Sequence, residues 1–340
     1  MNKDQDKIKS TADPHHHHHH HHHRRRRRIW RAIAIVLILI VIGVAVVLGL
    51  AYKNAKQASD KVYAPATTAS EKGRGTLSSL LKAKKPISLM LLGTDTGDLG
   101  RTYKGRTDTI MVMTVDPKKK RTLIVSLPRD MKVNLPGYAQ DSPAKINAAY
   151  TFGGVSETIK TVHDYYEVPI DGYLLVNMGG LKTAIDKVGG VTVTSPLTFD
   201  YEGYHFTKGD TIHMGGAKAL AFSRMRYDDP RGDYGRQDRQ RLIIMALINK
   251  SISYQTLLNG DFLNEMASQM QTDLTMGNMS QFALGYHQAK ADLVTDFAQG
   301  HGQQLDGVDY EVVSQSERQR VSDELRKSLD LKTVTLKERE

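Results

Sequence analysis

Residues 32–52, AIAIVLILIVIGVAVVLGLAY, run for twenty-one positions without a charge or a strong polar group. As a helix they span roughly 31 Å, the thickness of a bilayer core. A cleavable leader has a shorter apolar run and ends in small residues at an A-x-A-like site, which this stretch lacks. It therefore predicts an uncleaved single span. Arg24–Arg28 and Arg31 lie just before it. The positive-inside rule then keeps residues 1–31 in the cytoplasm and sends everything from Lys53 outward. Trp30 and Tyr52 stand at the two ends, where amphipathic aromatics favour the interface.

The segment before the anchor also carries half of the net charge. The 340-residue chain has a formal net charge of +10, and residues 1–28, with eight Lys/Arg against three Asp, account for half of the excess. The remainder is only mildly basic, so no cationic surface for nucleic acid is implied. The arginine run beside a span reads as a topology signal and a match for anionic lipid. Cysteine is absent. An exported domain without disulfides relies on its core, which suits a Gram-positive surface. His15–His23 resembles a purification tag or a low-complexity tract, because contiguous histidines lack the spacing of a dedicated metal site.

Residues 53–85, rich in Lys, Ala, Ser and Thr, read as an extracytoplasmic stem or linker. Order begins at Pro86. The segments 87–93, 108–116 and 121–127 are short apolar runs that predict strands, the last two joined in a hairpin by Lys118–Lys120. Helical spacing follows Gly154, with Ile159, Val162, Tyr165 and Tyr166 recurring at three or four. Then come a strand at 172–178, a helix at 180–190 stopped by two glycines, a strand in VTVTS, and helices at 215–224 and 238–252. Segments to about residue 290 read as amphipathic helices. Residues 316–340 read as a charged helix with a frayed end. Strands alternating with helices after a hairpin predict an α/β fold: one domain over 86–315, a mixed sheet with helices on both faces, an α/β/α sandwich behind the transmembrane helix.

Familiar catalytic signatures are absent: no GxxxxGK[ST], no HExxH, no GxSxG. Carboxylates and arginines remain. Asp95 lies just beyond one strand end and Asp108 at the start of the next, so the loop between them can bring two hard oxygen ligands together, as Mg²⁺ requires. Spacing alone favours the plainer role of turn caps. Arg129 sits at another strand end and Lys145 in AKIN; ligands of open α/β sheets gather at such ends. Residues 220–241, LAFSRMRYDDPRGDYGRQDRQR, contain six arginines, four aspartates and no lysine. Guanidinium is planar and matches carboxylate or phosphate oxygens. If residues 224–226 are extended, Arg224 and Arg226 point the same way. Arg236, Arg239 and Gln240 lie three and four apart at a helix start, where free amides favour anions. Arg231 and Arg241 are better assigned to pairs with Asp228, Asp229, Asp233 or Asp238. An anion clamp and a face of internal ion pairs stand level on these grounds.

Four stretches in order resemble the LytR–CpsA–Psr family of Gram-positive bacteria: LLGTDTG…GRTDTIMVMTVDPKKKRTLIVSLPRD, KINAAYTFGG, IDGYLLVNMGGL and ALAFSRMRYDDPRGDYGRQDRQ. Together they cover roughly residues 86–250 behind a short tail and one span, the family's layout. The resemblance implies a cell-membrane, single-pass phosphotransferase with an extracytoplasmic catalytic domain. Such enzymes move a teichoic acid or other wall or capsular polysaccharide from an undecaprenyl-pyrophosphate carrier to peptidoglycan, usually onto the muramic acid 6-hydroxyl. It implies Mg²⁺ at Asp95 and Asp108. It assigns pyrophosphate binding to Arg106, Arg129, Lys145, Arg224, Arg226, Arg236 and Gln240, with Asp95, Asp108, Arg129, Arg224 and Arg226 catalytic. It also implies an apolar tunnel for the lipid tail, for which the apolar residues after 155 serve equally well as core. The family often places an arginine soon after the first aspartate; here Gly93-Thr94-Asp95-Thr96-Gly97 is followed only later by Arg101. A polyprenyl-phosphate binder and a lipid-pyrophosphate pyrophosphatase are the alternatives. DNA regulation fits poorly with an outward-facing domain and no helix-turn-helix.

Overall fold

The sheet at the centre of the fold is built from the apolar runs read in the sequence. The computed structural model describes residues 49–50, 52–71, 73–94, 105–251, 264 and 269–339. Asp95, Arg101, the tract His15–His23, the arginine run and all of 32–52 except Gly49, Leu50 and Tyr52 lie outside them. Among the described residues no helix is long and apolar enough to cross a membrane. Residues from Tyr52 to Glu340 form one compact unit, within which all the contacts below are made.

Strands β1 (Ile87–Thr94), β2 (Thr107–Asp116) and β3 (Arg121–Leu127) form an antiparallel meander, and the short β4 (Lys132–Val133) and β5 (Ala144–Lys145) pair with each other after it. Strand β6 (Gly172–Asn177) joins β1 in parallel, β12 (Asp292–Phe297) joins β3 in parallel, and β11 (Met270–Thr272) closes the other edge against β6. The result is a mixed six-stranded sheet of order β11-β6-β1-β2-β3-β12. Its central strands are apolar on both faces because both are covered. Met90, Leu92, Ile110, Val112, Leu123 and Val125 pack on one side, and Leu89, Met111, Met113, Val115 and Ile124 on the other.

The first face meets helix α2 (Ala148–Tyr166) through Ile159, Val162 and Tyr166, and a helix at Gln315–Ser328 through Val321 and Leu325. Ile159 and Val162 are wholly buried there, so that face of α2 is filled core. Gly154 (φ 69°, ψ −157°) breaks the helix, which is why its regular spacing starts only at Val155. The second face meets helix α1 (Leu77–Lys82) through Leu80 and Leu81. A third cluster gathers Ile185, Val191, Phe199, Phe206, Phe222 and Ile243. It lies among helices α3 (Met178–Lys187), α4 (Gly216–Arg224) and α5 (Asp233–Ser251) and the short strands β7 (Val191–Thr194), β8 (Phe199–Tyr201), β9 (Tyr204–Phe206) and β10 (Thr211–Met214).

Three expectations change. Within the predicted stem 53–85, residues 52–62 are helical, α1 follows, and Arg74 pairs with buried Asp171 at 2.7 Å; alanine- and lysine-rich sequence favours helix, and a few apolar residues dock it. The helical reading to residue 290 holds for α6 (Met276–Gly285), but β11 interrupts it. Beyond it lie β12 and the ribbon of β13 (His301–Leu305) and β14 (Val308–Val312). That ribbon turns at Asp306-Gly307, both with positive φ, the Asp-Gly signal of a tight hairpin. Finally, helix α7 (Gln315–Ser328) starts at a Ser314/Glu317 capping pair, and the chain after it is packed rather than frayed. Leu336 is buried, its amide donating to Gln319 at 2.9 Å, and Arg339 pairs with Asp164 at 2.9 Å.

Leu325 on α7 is wholly buried against the sheet. Leu325→Ala is expected to lower stability by about 2–5 kcal/mol, read as a clear fall in Tm. Leu284→Ala, on an exposed position of α6, is expected to change it by less than about 0.5 kcal/mol. Equal Tm values for the two variants would contradict the packing of α7.

Candidate active site

Strands β1, β3, β6 and β12 all run the same way, so their carboxyl ends share one edge of the sheet with the start of β2. Apart from Arg224, the sequence-predicted residues that the structure describes collect at this edge. Asp108 owes its orientation to a bulge. Gly93 pairs with Thr109 and Thr94 with Thr107, which leaves Asp108 as the extra residue of β2. Gly93 is required for this crossing, since a Cβ there would lie 2.9 Å from that of Thr109. Arg106 is exposed at the same mouth, its carbonyl accepting from Thr94 Oγ1 at 3.2 Å.

Arg129 follows β3 by two residues and reaches across. Its Nη1 donates to Asp108 Oδ1 at 2.6 Å, and its Nε lies 3.6 Å from Asp130 and 3.5 Å from Asp233. The loop is pinned by two amides: Ile146 N donates to Met131 O at 2.9 Å and Asn147 N to Arg129 O at 3.2 Å. This brings Lys145 Nζ within 3.0 Å of Asp130. From the other side, the first turn of α5 supplies Asp233 and Arg236, 2.7 Å apart, while Arg226 lies 4.0 Å from Asp233. One turn further along, Gln240 accepts from Thr109 Oγ1 at 2.9 Å, tying α5 to the strand that bears Asp108.

Three guanidiniums thus share a single oxygen, Oδ1 of Asp233. They are close as ions but poorly aligned as hydrogen bonds. Nε of Arg129 and both Nε and Nη2 of Arg236 are buried without a hydrogen-bond acceptor among the described residues. Buried donors in that state are costly, and an anion with several oxygens would satisfy them. The electrostatics agree. Burial works against the Arg129 charge, but Asp233 and Asp108 more than offset it and hold its pKa above the usual arginine value. Arg236 goes the other way: burial pushes it down, and neighbouring Arg129 and Arg226 add to the shift while Asp233 opposes it. Arg236 is thus destabilised first by burial and then by its fellow arginines, and an anion beside it would oppose both.

Arg224 is placed differently from the expectation. Helix α4 runs through it, and only at Met225 (φ −53°, ψ 136°) does the chain extend, with the Met225 side chain buried. Arg224 lies 3.8 Å from Glu202 at the β8–β9 turn, whereas Arg226 faces Asp233. Arg239 likewise leaves the face that the spacing predicts it to share with Arg236. It is fully buried, donating to the Phe222 carbonyl at 3.0 Å, to the Met225 carbonyl and to Asp229, with its guanidinium 5.2 Å from the Phe199 ring centre. Arg231 and Arg241 are paired to acids as expected, with Asp229 and Asp238. Gly235 permits this arrangement, since any Cβ there would collide with the Asp229 carboxylate. Sequence reasoning misses Asp233 and Asp130 as centres of the site. It groups Asp233 with the partners of Arg231 and Arg241; an acid in the first turn of an arginine-rich helix is the available signal.

Residues 48–327 match the LytR_cpsA_psr family. The chain belongs to that family. It is 42% identical over 299 residues to the polyisoprenyl-teichoic acid–peptidoglycan teichoic acid transferase TagU of Enterococcus faecalis, covering 85% of this chain and 96% of that one. The crystal structure of Bacillus subtilis TagU is similar with a TM-score of 0.59 and 36% identity, over 74% of this chain and 100% of that one. The structure of TagT bound to LIIa-WTA is similar with a TM-score of 0.65 and 25% identity, over 78% and 97% respectively.

Removing Arg239 would leave buried Asp229 only the looser pair with Arg231 at 3.9 Å. Arg239→Ala is expected to cost about 3–5 kcal/mol, seen as a large Tm fall in thermal denaturation, whereas Arg226→Ala, half-exposed, leaves Tm nearly unchanged. An Arg239→Ala protein with wild-type Tm would refute its part as the strut of this loop.

Proposed function

We propose that the protein is a membrane-anchored phosphotransferase that moves a glycopolymer from an undecaprenyl-pyrophosphate carrier to peptidoglycan. The observation that carries this reading is the cluster of Arg129, Arg226 and Arg236 on one carboxylate oxygen, with buried donors left over. The TagU relatives are named for transfer of teichoic acid to peptidoglycan, which supports the same reading. On topology, the apolar stretch 32–52 and the arginines before it support a single span with the N-terminus cytoplasmic and the catalytic domain outside a Gram-positive cell.

In the proposed reaction the diphosphate displaces the acids from the arginines. Arg129, Arg226 and Arg236 turn their donors to its oxygens, Lys145 adds a point charge, Arg224 exchanges Glu202 for phosphate, and Arg106 and Gln240 border the pocket. The acceptor sugar hydroxyl attacks the phosphorus attached to the polymer. The bond from that phosphorus to the bridging oxygen breaks, and undecaprenyl phosphate leaves with the electron pair. The hydroxyl proton passes to a carboxylate of the cluster, for which Asp108, Asp130 and Asp233 are in place. Phosphoryl transfer depends mainly on charge neutralisation and positioning, and an arginine cluster provides both.

Asp95 and Asp108 are the residues that would hold Mg²⁺. Asp108 fits: it is a hard oxygen donor, turned by the bulge and partly open to solvent beside Arg129. When bound, the ion would neutralise phosphate charge.

The test uses full-length protein, labelled lipid-linked polymer and peptidoglycan. Arg224→Ala combined with Arg226→Ala is expected to slow transfer by about 100-fold or more with Tm retained. Chelation with EDTA is expected to stop transfer and added Mg²⁺ to restore it. Wild-type rate in the double variant would remove the clamp assignment; transfer indifferent to EDTA would remove the metal. Polymer released into water instead of onto peptidoglycan would make the protein a pyrophosphatase.

A further inference from the structure

The loop joining α4 to α5 presents a group that the clamp does not use. Tyr227, next to Arg226, is 91% exposed, the most exposed of the large hydrophobic side chains among the described residues. A single exposed aromatic is ordinary on a protein surface. Two features of its setting are not.

First, the loop is held rigidly. The buried Arg239 guanidinium binds the carbonyls of Phe222 and Met225 at one end and the Asp229 carboxylate at the other. Asp229 in turn accepts from the Arg231 amide at 2.9 Å, its own amide donates to Arg226 O at 3.3 Å, and its carbonyl accepts from Gly232 N at 2.8 Å. The backbone that carries the ring is thereby held in place, which lowers the entropy cost of binding to it. Second, its chain neighbour Arg226 belongs to the guanidinium cluster on Asp233. Adjacent Cα atoms are about 3.8 Å apart, so the exposed Tyr227 side chain is within reach of a group joined to a phosphate on Arg226. That group is a sugar on both sides of the phosphodiester being made. A pyranose offers a C–H face suited to an aromatic ring and hydroxyls suited to the phenol.

We infer that Tyr227 is a specificity-determining residue that stacks on the pyranose ring next to the clamped phosphate. The inference rests on the transferase reading. The pyranose has two sources, the first sugar of the lipid-linked polymer and the acceptor sugar of peptidoglycan, and kinetics separate them.

Full-length wild type, Tyr227→Ala and Tyr227→Phe are compared for KM of each substrate, kcat and Tm. Tyr227→Ala is expected to raise one KM by about tenfold, equivalent to about 1.4 kcal/mol of lost stacking, with kcat and Tm near wild type. Tyr227→Phe, which keeps the ring, is expected to stay within about twofold of wild type. A rise in donor KM places the ring on the polymer sugar, and a rise in acceptor KM places it on peptidoglycan. If Tyr227→Ala leaves both KM values unchanged, or lowers Tm and kcat alone, the inference is overturned. A wild-type protein that makes no transfer product would instead sink the transferase reading.

Discussion

The structure of this site depends on the attraction of three arginines to one aspartate oxygen. Arg129 comes from the sheet, Arg226 from a loop and Arg236 from a helix, and only Asp233 touches all three. Like charges held this close repel, and burial makes the repulsion stronger. The carboxylate makes the cluster tolerable in the protein alone. It does not satisfy it, because donors on Arg129 and Arg236 remain buried without acceptors among the described residues. A diphosphate carries more charge and more oxygens than a carboxylate, so the same geometry favours its binding.

Around this centre the fold supplies rigidity by ordinary means. A bulge opposite Gly93 and Thr94 turns Asp108 toward Arg129. A side-chain bond from Thr109 to Gln240 fixes the distance between β2 and α5. Arg239, wholly buried, holds the loop that carries Arg226. The β13–β14 ribbon adds a last support: Glu311 N donates to Asp130 O at 2.8 Å, and the hydroxyl of Tyr234, the residue after Asp233, donates to the Glu311 carboxylate. Asp130 and Asp233, two of the three acids around the cationic cluster, are therefore braced from one side.

The central strands were legible because an apolar run of seven to ten residues between turn signals is too short for a buried helix and fits a strand covered on both faces. Helices α2 to α5 were legible from spacing and from their glycine stops, notably Gly189 and Gly190 after α3, both with positive φ. Strand β12 was not, since DLVTDF is a half-buried edge strand with acids at both ends of its apolar core. At the site, the strand ends predicted where Arg129 and Asp108 would meet. What spacing could not supply was which acid each arginine would choose. Asp233 is four residues from Asp229 and five from Asp238, yet it also reaches Arg129 at the sheet while the other two pair only within their own segment. That partition is set by tertiary packing, through Gly235 and Arg239, and leaves no local periodicity.

The most direct measurement is a crystal structure of the protein with a polyprenyl pyrophosphate bound. The arginine clamp predicts Nε of Arg129 and Arg236 at about 2.7–2.9 Å from phosphate oxygens, with Arg226 drawn in from Asp233 to the same group. Lipid phosphate bound elsewhere, with all three guanidiniums still gathered on Asp233, would contradict it.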